Sequence, residues 1–256
     1  MMKHSKLVPL VILEEGSFSI LEIAELIVGF YKGLSECDSN YNHVYTISEK
    51  TPLHEIIDVQ DANSIHLLAE ELLHQNIDDI RKIDGVENPD QNYRRGKNGG
   101  LSLGLQTKAE GETFITLNFS FYPNQSAVGS IAVNELCFDS YVKAMDFLEI
   151  ANSSFLVKYS VIKIMDRSLN KVARGYLFPL GWITYFSESL NDLIPDGLEG
   201  VSYECSDRGK YVILSKESIS VDSDKLDSGK EVLIKCMKQI EEQNPAYSKG
   251  FIPPFA

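Results

Sequence analysis

Leu101-Ser-Leu-Gly-Leu-Gln-Thr107 and Phe114-Ile-Thr-Leu-Asn-Phe-Ser-Phe-Tyr122 are two runs in which apolar and polar residues alternate. A period of two is typical of strands that bury one face. The connection Glu110-Gly111-Glu112 suits a tight turn, so the two runs predict an antiparallel β-hairpin. Strand-like runs in the rest of the chain are also joined mainly by hairpin turns. The sequence therefore predicts the α+β class, with antiparallel sheets built of hairpins and helices packed on them.

The other predicted strands share β-branched or aromatic residues and boundaries rich in turn-forming residues. They are Lys6–Glu14, His43–Ser48, Ser130–Phe138, Phe155–Met165, Gly181–Phe186, Val201–Cys205 and Tyr211–Leu214. Asp207-Arg208-Gly209 lies between the last two and predicts a second hairpin.

Four helices are predicted from apolar residues that recur every three or four positions. They run from Ser19 to Glu36, from Ser64 into the low eighties, from Ser140 to Ala151 and from Ser228 to Glu242. Ser19 followed by Glu22 forms the pattern of a capping box at the start of the first helix. In the third helix we expect Val142, Met145 and Leu148 to form the buried stripe.

The length of 256 residues suits one large domain or two small ones. No internal repeat and no low-complexity linker divides the sequence. We therefore expect a single domain over residues 1–256, which could be built as two half-units, with an extended proline-rich tail over residues 244–256.

The distribution of charge argues against a nucleic-acid-binding protein. The chain has 24 Lys and Arg residues against 37 Asp and Glu residues, a formal charge of −13. The segment Glu14–Asp90 holds 17 acidic and 4 basic residues and therefore carries the whole excess. Such a chain repels the phosphates of nucleic acids and favours a basic partner. The alternative is that the acidic residues only keep the protein in solution.

Signals for export or for a membrane span are absent from the sequence. No apolar run reaches the length of about 20 residues that a membrane-spanning helix needs. The N-terminal residues lack the pattern of a secretory signal peptide, because Pro9 and Glu14-Glu15 interrupt the apolar run. A cytoplasmic location is therefore expected, without contact to a membrane.

Motifs for catalysis are also missing from the sequence, which contains no phosphate-binding loop, no GxSxG elbow and no HExxH pair. The best candidate for metal binding is the set His66, Glu70 and His74, which recur at every fourth position of the second predicted helix. Ordinary helix surface chemistry explains the same spacing. The four cysteines are isolated from one another and are expected to be reduced thiols: Cys37, Cys137, Cys205 and Cys236.

A family resemblance is carried by Gly181-Trp182-Ile183-Thr184-Tyr185. This stretch resembles the Gly-Trp-hydrophobic-Thr-Tyr strand of the immunity protein 52 family, which belongs to bacterial polymorphic-toxin and type VI secretion systems. As in that family, a strand at Tyr211–Leu214 and a closing helix follow. The similarity extends over roughly Tyr31 to Gln243. It implies an α+β protein that binds and neutralises a toxin encoded beside it, often a nuclease, without being an enzyme or needing a cofactor.

The resemblance also implies that Trp182 is a core residue, as expected for a Trp within an apolar strand. The leading hypothesis is an immunity protein that occludes a cognate toxin with an acidic surface. Its predicted contact residues are acidic and lie at the end of the second helix and in the following loop: Asp78, Asp79, Asp84, Glu87 and Asp90. A metal-dependent hydrolase using His66, Glu70 and His74, and a general interaction protein, remain as alternatives. Homodimer formation is left open.

Overall fold

The computed structural model describes residues 7–13, 18–46, 55–84, 92–93, 101–108, 114–121, 128–132, 138, 140–164, 166–173, 175–217 and 223–245. Its strands are β1 Leu7–Leu13, β2 Phe18–Ser19, β3 His43–Thr46, β4 Glu55–Asp58, β5 Asn92–Tyr93, β6 Leu101–Lys108, β7 Phe114–Phe121, β8 Val128–Ala132, β9 Val157–Ile164, β10 Ile183–Ser187, β11 Ser202–Ser206 and β12 Gly209–Ile213. Its α-helices are α1 Ile20–Cys37, α2 Ser64–Asp84, α3 Tyr141–Ser154, α4 Arg167–Ala173 and α5 Ser223–Gln243. Short 3₁₀ helices lie at Ser39–Tyr41 and Glu188–Leu193.

The predicted α+β class is confirmed, since helices are combined with antiparallel strand pairs joined by hairpins. The chain divides into two compact units. Unit 1 contains residues 1–10, 135–148 and 158–256, and unit 2 contains residues 11–134 and 149–157.

Unit 2 contains the predicted central hairpin. Strands β6 and β7 pair in one continuous antiparallel register, from Leu101 opposite Phe121 to Lys108 opposite Phe114. The order of strands in this unit is β8-β7-β6-β3-β4. Helix α1 begins with the predicted capping box, in which the Glu22 amide donates to Ser19 Oγ at 3.2 Å and the Ser19 amide donates to Glu22 Oε2 at 2.6 Å.

Among the described residues of unit 1, strands β11, β12, β10 and β9 lie side by side in this order and pair antiparallel. Central strand β10 is buried along its whole length. Phe186 of β10 contacts the aromatic rings of Tyr159 and Phe178, and the centroids of the three rings lie 5.4–5.9 Å apart. Helix α5 buries an apolar face that includes Leu233, Met237 and Ile240.

Two predictions about α3 and β8 need correction. Met145 and Leu148 are buried as expected, but Val142 is 63% exposed. A helix turns about 100° per residue, so Val142 lies about 120° around the axis from Leu148 and misses the buried face. The described strand β8, Val128–Ala132, begins two residues before the expected Ser130, and Phe138 is not in a strand. Residues 133–137 of the expected strand lie outside the described residues.

Two short elements, β4 and α4, were not predicted at all, because four and seven residues give too little periodicity to recognise. The expected loop Gly85–Gly100 and the tail beyond Pro245 fall outside the described residues, apart from β5. None of the described helices is both long and apolar enough to cross a membrane.

Candidate functional site

A groove of about 590 Å³ lies in unit 1, between the 3₁₀ helix Glu188–Leu193 with its following turn and the hairpin formed by β11 and β12. Both walls contribute polar and charged side chains. The lining residues are Glu188, Asn191, Asp192, Ile194, Pro195, Asp196, Cys205, Ser206, Asp207, Gly209 and Lys210.

The Gly-Trp motif anchors the strand that leads into this groove. The Trp182 side chain is 0% exposed, and its Nε1 donates to the Ser215 carbonyl at 2.8 Å. The predicted core position of Trp182 is therefore confirmed. A side chain at Gly181 would place its Cβ 2.2 Å from the Ile162 carbonyl oxygen, so only glycine fits where the segment before β10 approaches β9. The Gly181 amide donates to Thr184 Oγ1 at 3.0 Å inside the core.

The hairpin turn is held against the start of the 3₁₀ helix. The Arg208 carbonyl accepts hydrogen bonds from the Tyr185 hydroxyl at 2.9 Å and from the Glu188 amide at 2.8 Å. Gly209 packs so closely on β10 that an added Cβ would lie 2.1 Å from the Phe186 carbonyl oxygen. Both contacts fix the position of the turn, and with it one wall of the groove.

Lys210 and Tyr203 fix the other wall. Lys210 Nζ donates to the Ile194 carbonyl at 2.7 Å and lies 3.4 Å from Asp196 Oδ1. The Tyr203 hydroxyl donates to the Pro195 carbonyl at 2.9 Å and accepts from the Leu198 amide at 2.9 Å. Burial raises the pKa of Tyr203, so its hydroxyl keeps the proton that it donates.

The groove is acidic. Four carboxylates line it, whereas Lys210 is the one cation among its lining residues. The Lys210 side chain is only 13% exposed, and its ammonium group is already bound to the Ile194 carbonyl and Asp196. Within the described part of the chain, Glu188, Asp192 and Asp207 form no ion pair and are exposed. A ligand that enters this groove therefore meets uncompensated negative charge.

A local excess of acidic residues in the sequence indicates this site, but a count of charges over long segments hides it. Residues 188–207 contain six acidic residues and no lysine or arginine. Outside Glu14–Asp90 the charges sum to zero, so this local excess was missed. The hairpin turn was predicted, but not its approach to the 3₁₀ helix, because that contact depends on the register of β10 and β12.

The five predicted contact carboxylates lie mostly beyond what the structure describes. Asp78, Asp79 and Asp84 belong to the second half of α2, where side chains are not described, and Glu87 and Asp90 fall outside the described residues. The described part of the acidic segment has six exposed carboxylates against one exposed lysine, Lys32. These carboxylates belong to Glu22, Glu25, Glu36, Asp38, Asp61 and Glu70.

The His66, Glu70 and His74 stripe lies on α2 with all three side chains exposed. No three His, Cys, Asp or Glu residues of the described ranges come together in a way that could hold a metal ion. Of the cysteines, Cys37 and Cys205 are exposed and Cys236 is buried, whereas Cys137 is outside the described residues.

Comparisons with known proteins give little further information. No family model matches the chain, so the immunity protein 52 resemblance has no support from that side. No curated protein matches it either. Among solved structures, the chain is similar to a T6SS protein of Pseudomonas aeruginosa, with 8% sequence identity and a TM-score of 0.44 over 89% of this chain and 73% of that one. Similarity at this level assigns neither a family nor a function.

Proposed function

We propose that the protein is an immunity protein that binds one cognate toxin in a stoichiometric complex and neutralises it, and that this toxin is a nuclease. The observation that carries the proposal is the acidic surface. In the described part of Glu14–Asp90, six exposed carboxylates face solvent with one exposed lysine, and the groove of unit 1 adds uncompensated carboxylates.

A nuclease must hold the phosphates of its substrate with positive charge. An acidic protein can occupy such a surface in place of the polyanion, and opposite charge also accelerates the encounter of the two proteins. The motif Gly181–Tyr185 has a structural role in this proposal, because its Trp182, Thr184 and Tyr185 side chains are buried and bond backbone groups of unit 1.

We further propose that the protein has no catalytic activity of its own. Among the described residues, His66, Glu70 and His74 are exposed and do not come together as a group that could hold a metal ion.

Co-expression with the product of the neighbouring gene tests the function. We expect this product to be toxic alone in a bacterial host, and the purified pair to form a 1:1 complex without nuclease activity. A matched variant, His66→Ala with His74→Ala, should protect as well as the wild type because it alters only the stripe. The absence of toxicity or of a complex would contradict the proposal, and hydrolytic turnover that this variant abolishes would establish the enzyme instead.

A further inference from the structure

Strand β11 forms one end of the strand order in unit 1, where β12 is its neighbour. The hairpin pairs Ser206 with Gly209, Cys205 with Lys210 and Glu204 with Tyr211. An antiparallel strand directs its amide and carbonyl groups alternately to the two sides. The hydrogen bonds that β12 forms with β10 on its other side therefore identify the backbone groups of β11 that point away from β12.

The even-numbered residues of β12 and of the positions next to its ends form backbone hydrogen bonds with β10 and its flanking residues. The Leu214 amide donates to the Trp182 carbonyl at 2.9 Å, and the Glu188 amide donates to the Arg208 carbonyl at 2.8 Å. The odd-numbered residues of β12 therefore bond β11, and their partners there are Ser206, Glu204 and Ser202. The backbone N–H and C=O groups of Tyr203 and Cys205 consequently point to the outer edge of β11.

This outer edge borders the acidic groove. Side chains of directly paired residues project on the same face of a sheet, so Cys205 lies on the face of Lys210, which lines the groove. The Lys210 ammonium also lies 5.9 Å from the centroid of the Tyr203 ring, which places Tyr203 on this face. Cys205 is exposed and lines the groove itself.

We propose that the outer edge of β11 binds an extended, basic segment of the toxin as an additional antiparallel strand, with alternate Lys or Arg side chains in the acidic groove. The inference rests on the proposed function for the identity of the partner. Backbone hydrogen bonds to Tyr203 and Cys205 supply affinity, and the carboxylates of Glu188, Asp192 and Asp207 select a cationic strand.

Charge argues against a second copy of this chain as the occupant. Pairing two β11 edges would bring two acidic grooves together, each with exposed Glu188, Asp192 and Asp207 carboxylates. Like charges in juxtaposition disfavour such a complex, whereas a lysine-bearing strand relieves the repulsion within the groove. An exposed strand edge can also pair with other chains and cause aggregation. Charged side chains that point inward at the edge oppose such pairing.

A synthetic eight-residue peptide that alternates lysine and valine is the probe, with a glutamate–valine peptide of equal length as control. We expect the lysine peptide to bind the full chain and the glutamate peptide to bind at least tenfold more weakly. Binding should slow the hydrogen exchange of the Tyr203 and Cys205 amides and leave that of Glu204, which already bonds β12, unchanged. Equal binding of both peptides, or unchanged exchange at both edge amides, would overturn the proposal.

Two variants separate backbone pairing from charge. Cys205→Pro removes an outward N–H without removing a bond to β12, and proline is tolerated on edge strands. Glu188→Lys with Asp192→Lys reverses two exposed charges of the groove. Each should weaken binding of the lysine peptide at least tenfold, whereas the matched reversal Glu231→Lys with Glu242→Lys on α5 should change it less than twofold. If Cys205→Pro unfolds the protein, the groove variant and the amide exchange still decide.

The same variants separate this inference from the proposed function. If Cys205→Pro and the groove variant are folded and still neutralise the toxin fully, the edge is not its binding site although the function stands. If no toxin is neutralised by the wild type, peptide binding and edge protection still test the strand site. A wild-type dimer in light scattering that Cys205→Pro dissociates would assign the edge to a second copy and overturn the proposal.

Discussion

At the scale of single residues, the motif Gly181–Tyr185 consists of positions that each meet a separate packing demand. Gly181 permits the approach of the Ile162 carbonyl, and Thr184 supplies the acceptor that its amide needs. Trp182 fills the core and bonds the Ser215 carbonyl, which follows β12. Tyr185 reaches the hairpin turn at Arg208. The motif therefore shapes the groove without entering it.

Replacing Trp182 with Ala should destabilise the protein by about 3–5 kcal/mol, because a large buried aromatic side chain leaves a cavity. It also leaves the Ser215 carbonyl without its donor. Trp182→Phe is the matched control, since it retains most of the volume and loses chiefly the hydrogen bond, at about 1–3 kcal/mol. Urea unfolding of both variants measures these differences. A fully stable Trp182→Ala that fails to protect against the toxin would instead place this residue at the interface.

At the scale of elements, the start of α4 is tied to α5 by one carboxylate. Asp166 accepts the Leu169 amide at 2.8 Å and the Ser168 hydroxyl, which caps the seven-residue helix. Its second oxygen lies 3.1 Å from the Lys230 ammonium on α5. The hydrogen bond from Ser168 first, then that from the Leu169 amide and the contact with Lys230, lower the pKa of Asp166 to about 2.

This lowered pKa predicts a loss of stability in acid. A carboxyl group whose pKa is lower in the folded chain than the ordinary value of 3.8 contributes stability above pH 4, and this contribution is lost as the pH falls through about 2. Asp166→Asn retains a capping side chain but carries no charge. We expect wild type to exceed it by on the order of 1 kcal/mol at pH 5, and the difference to shrink towards pH 2. Urea titrations across this range measure it, and a constant difference would contradict the assignment.

At the scale of the whole molecule, the segment Glu14–Asp90 carries the full excess charge of −13, and a separate local group of carboxylates lines the groove of unit 1. Long-range fields of this kind accelerate association with a basic partner more than they strengthen the final complex. The effect is screened over about 8–10 Å near physiological ionic strength. Salt should therefore slow the association of the proposed toxin partner while leaving its dissociation nearly unchanged.

Reversing the five carboxylates of Asp78, Asp79, Asp84, Glu87 and Asp90 to Lys should slow toxin association about tenfold or more, because the local field changes sign. We expect the association rate to change much more than the free energy of unfolding, and urea unfolding of the variant checks this. Stopped-flow association rates at low and high salt measure the effect. Asn and Gln at the same five positions form a graded control with half the change in charge. An unchanged rate with intact inhibition would remove these residues from the interface.

Much of the fold could be predicted from local patterns in the sequence. The alternation over Leu101–Thr107 and Phe114–Tyr122 gave the central hairpin, and Ser19 with Glu22 gave the start of α1. The apolar period of α5 and the core position of Trp182 were equally readable. These features depend on residues that are close together in the chain, where steric preference, capping and burial of one face already select the structure.

The tertiary structure decided which faces are buried and which distant residues meet. Val142 is apolar like Met145 and Leu148, but packing buries the face of α3 that holds those two residues and leaves Val142 exposed. The groove combines residues 188–196 with residues 205–210, and the outward direction of the Tyr203 and Cys205 backbone follows from the register of β12 on both sides. A shift of one residue in that register would exchange the free and bonded groups of β11, because strand geometry repeats every two residues. Local sequence determines that a strand forms there, and only long-range pairing decides which of its edges and faces remains open.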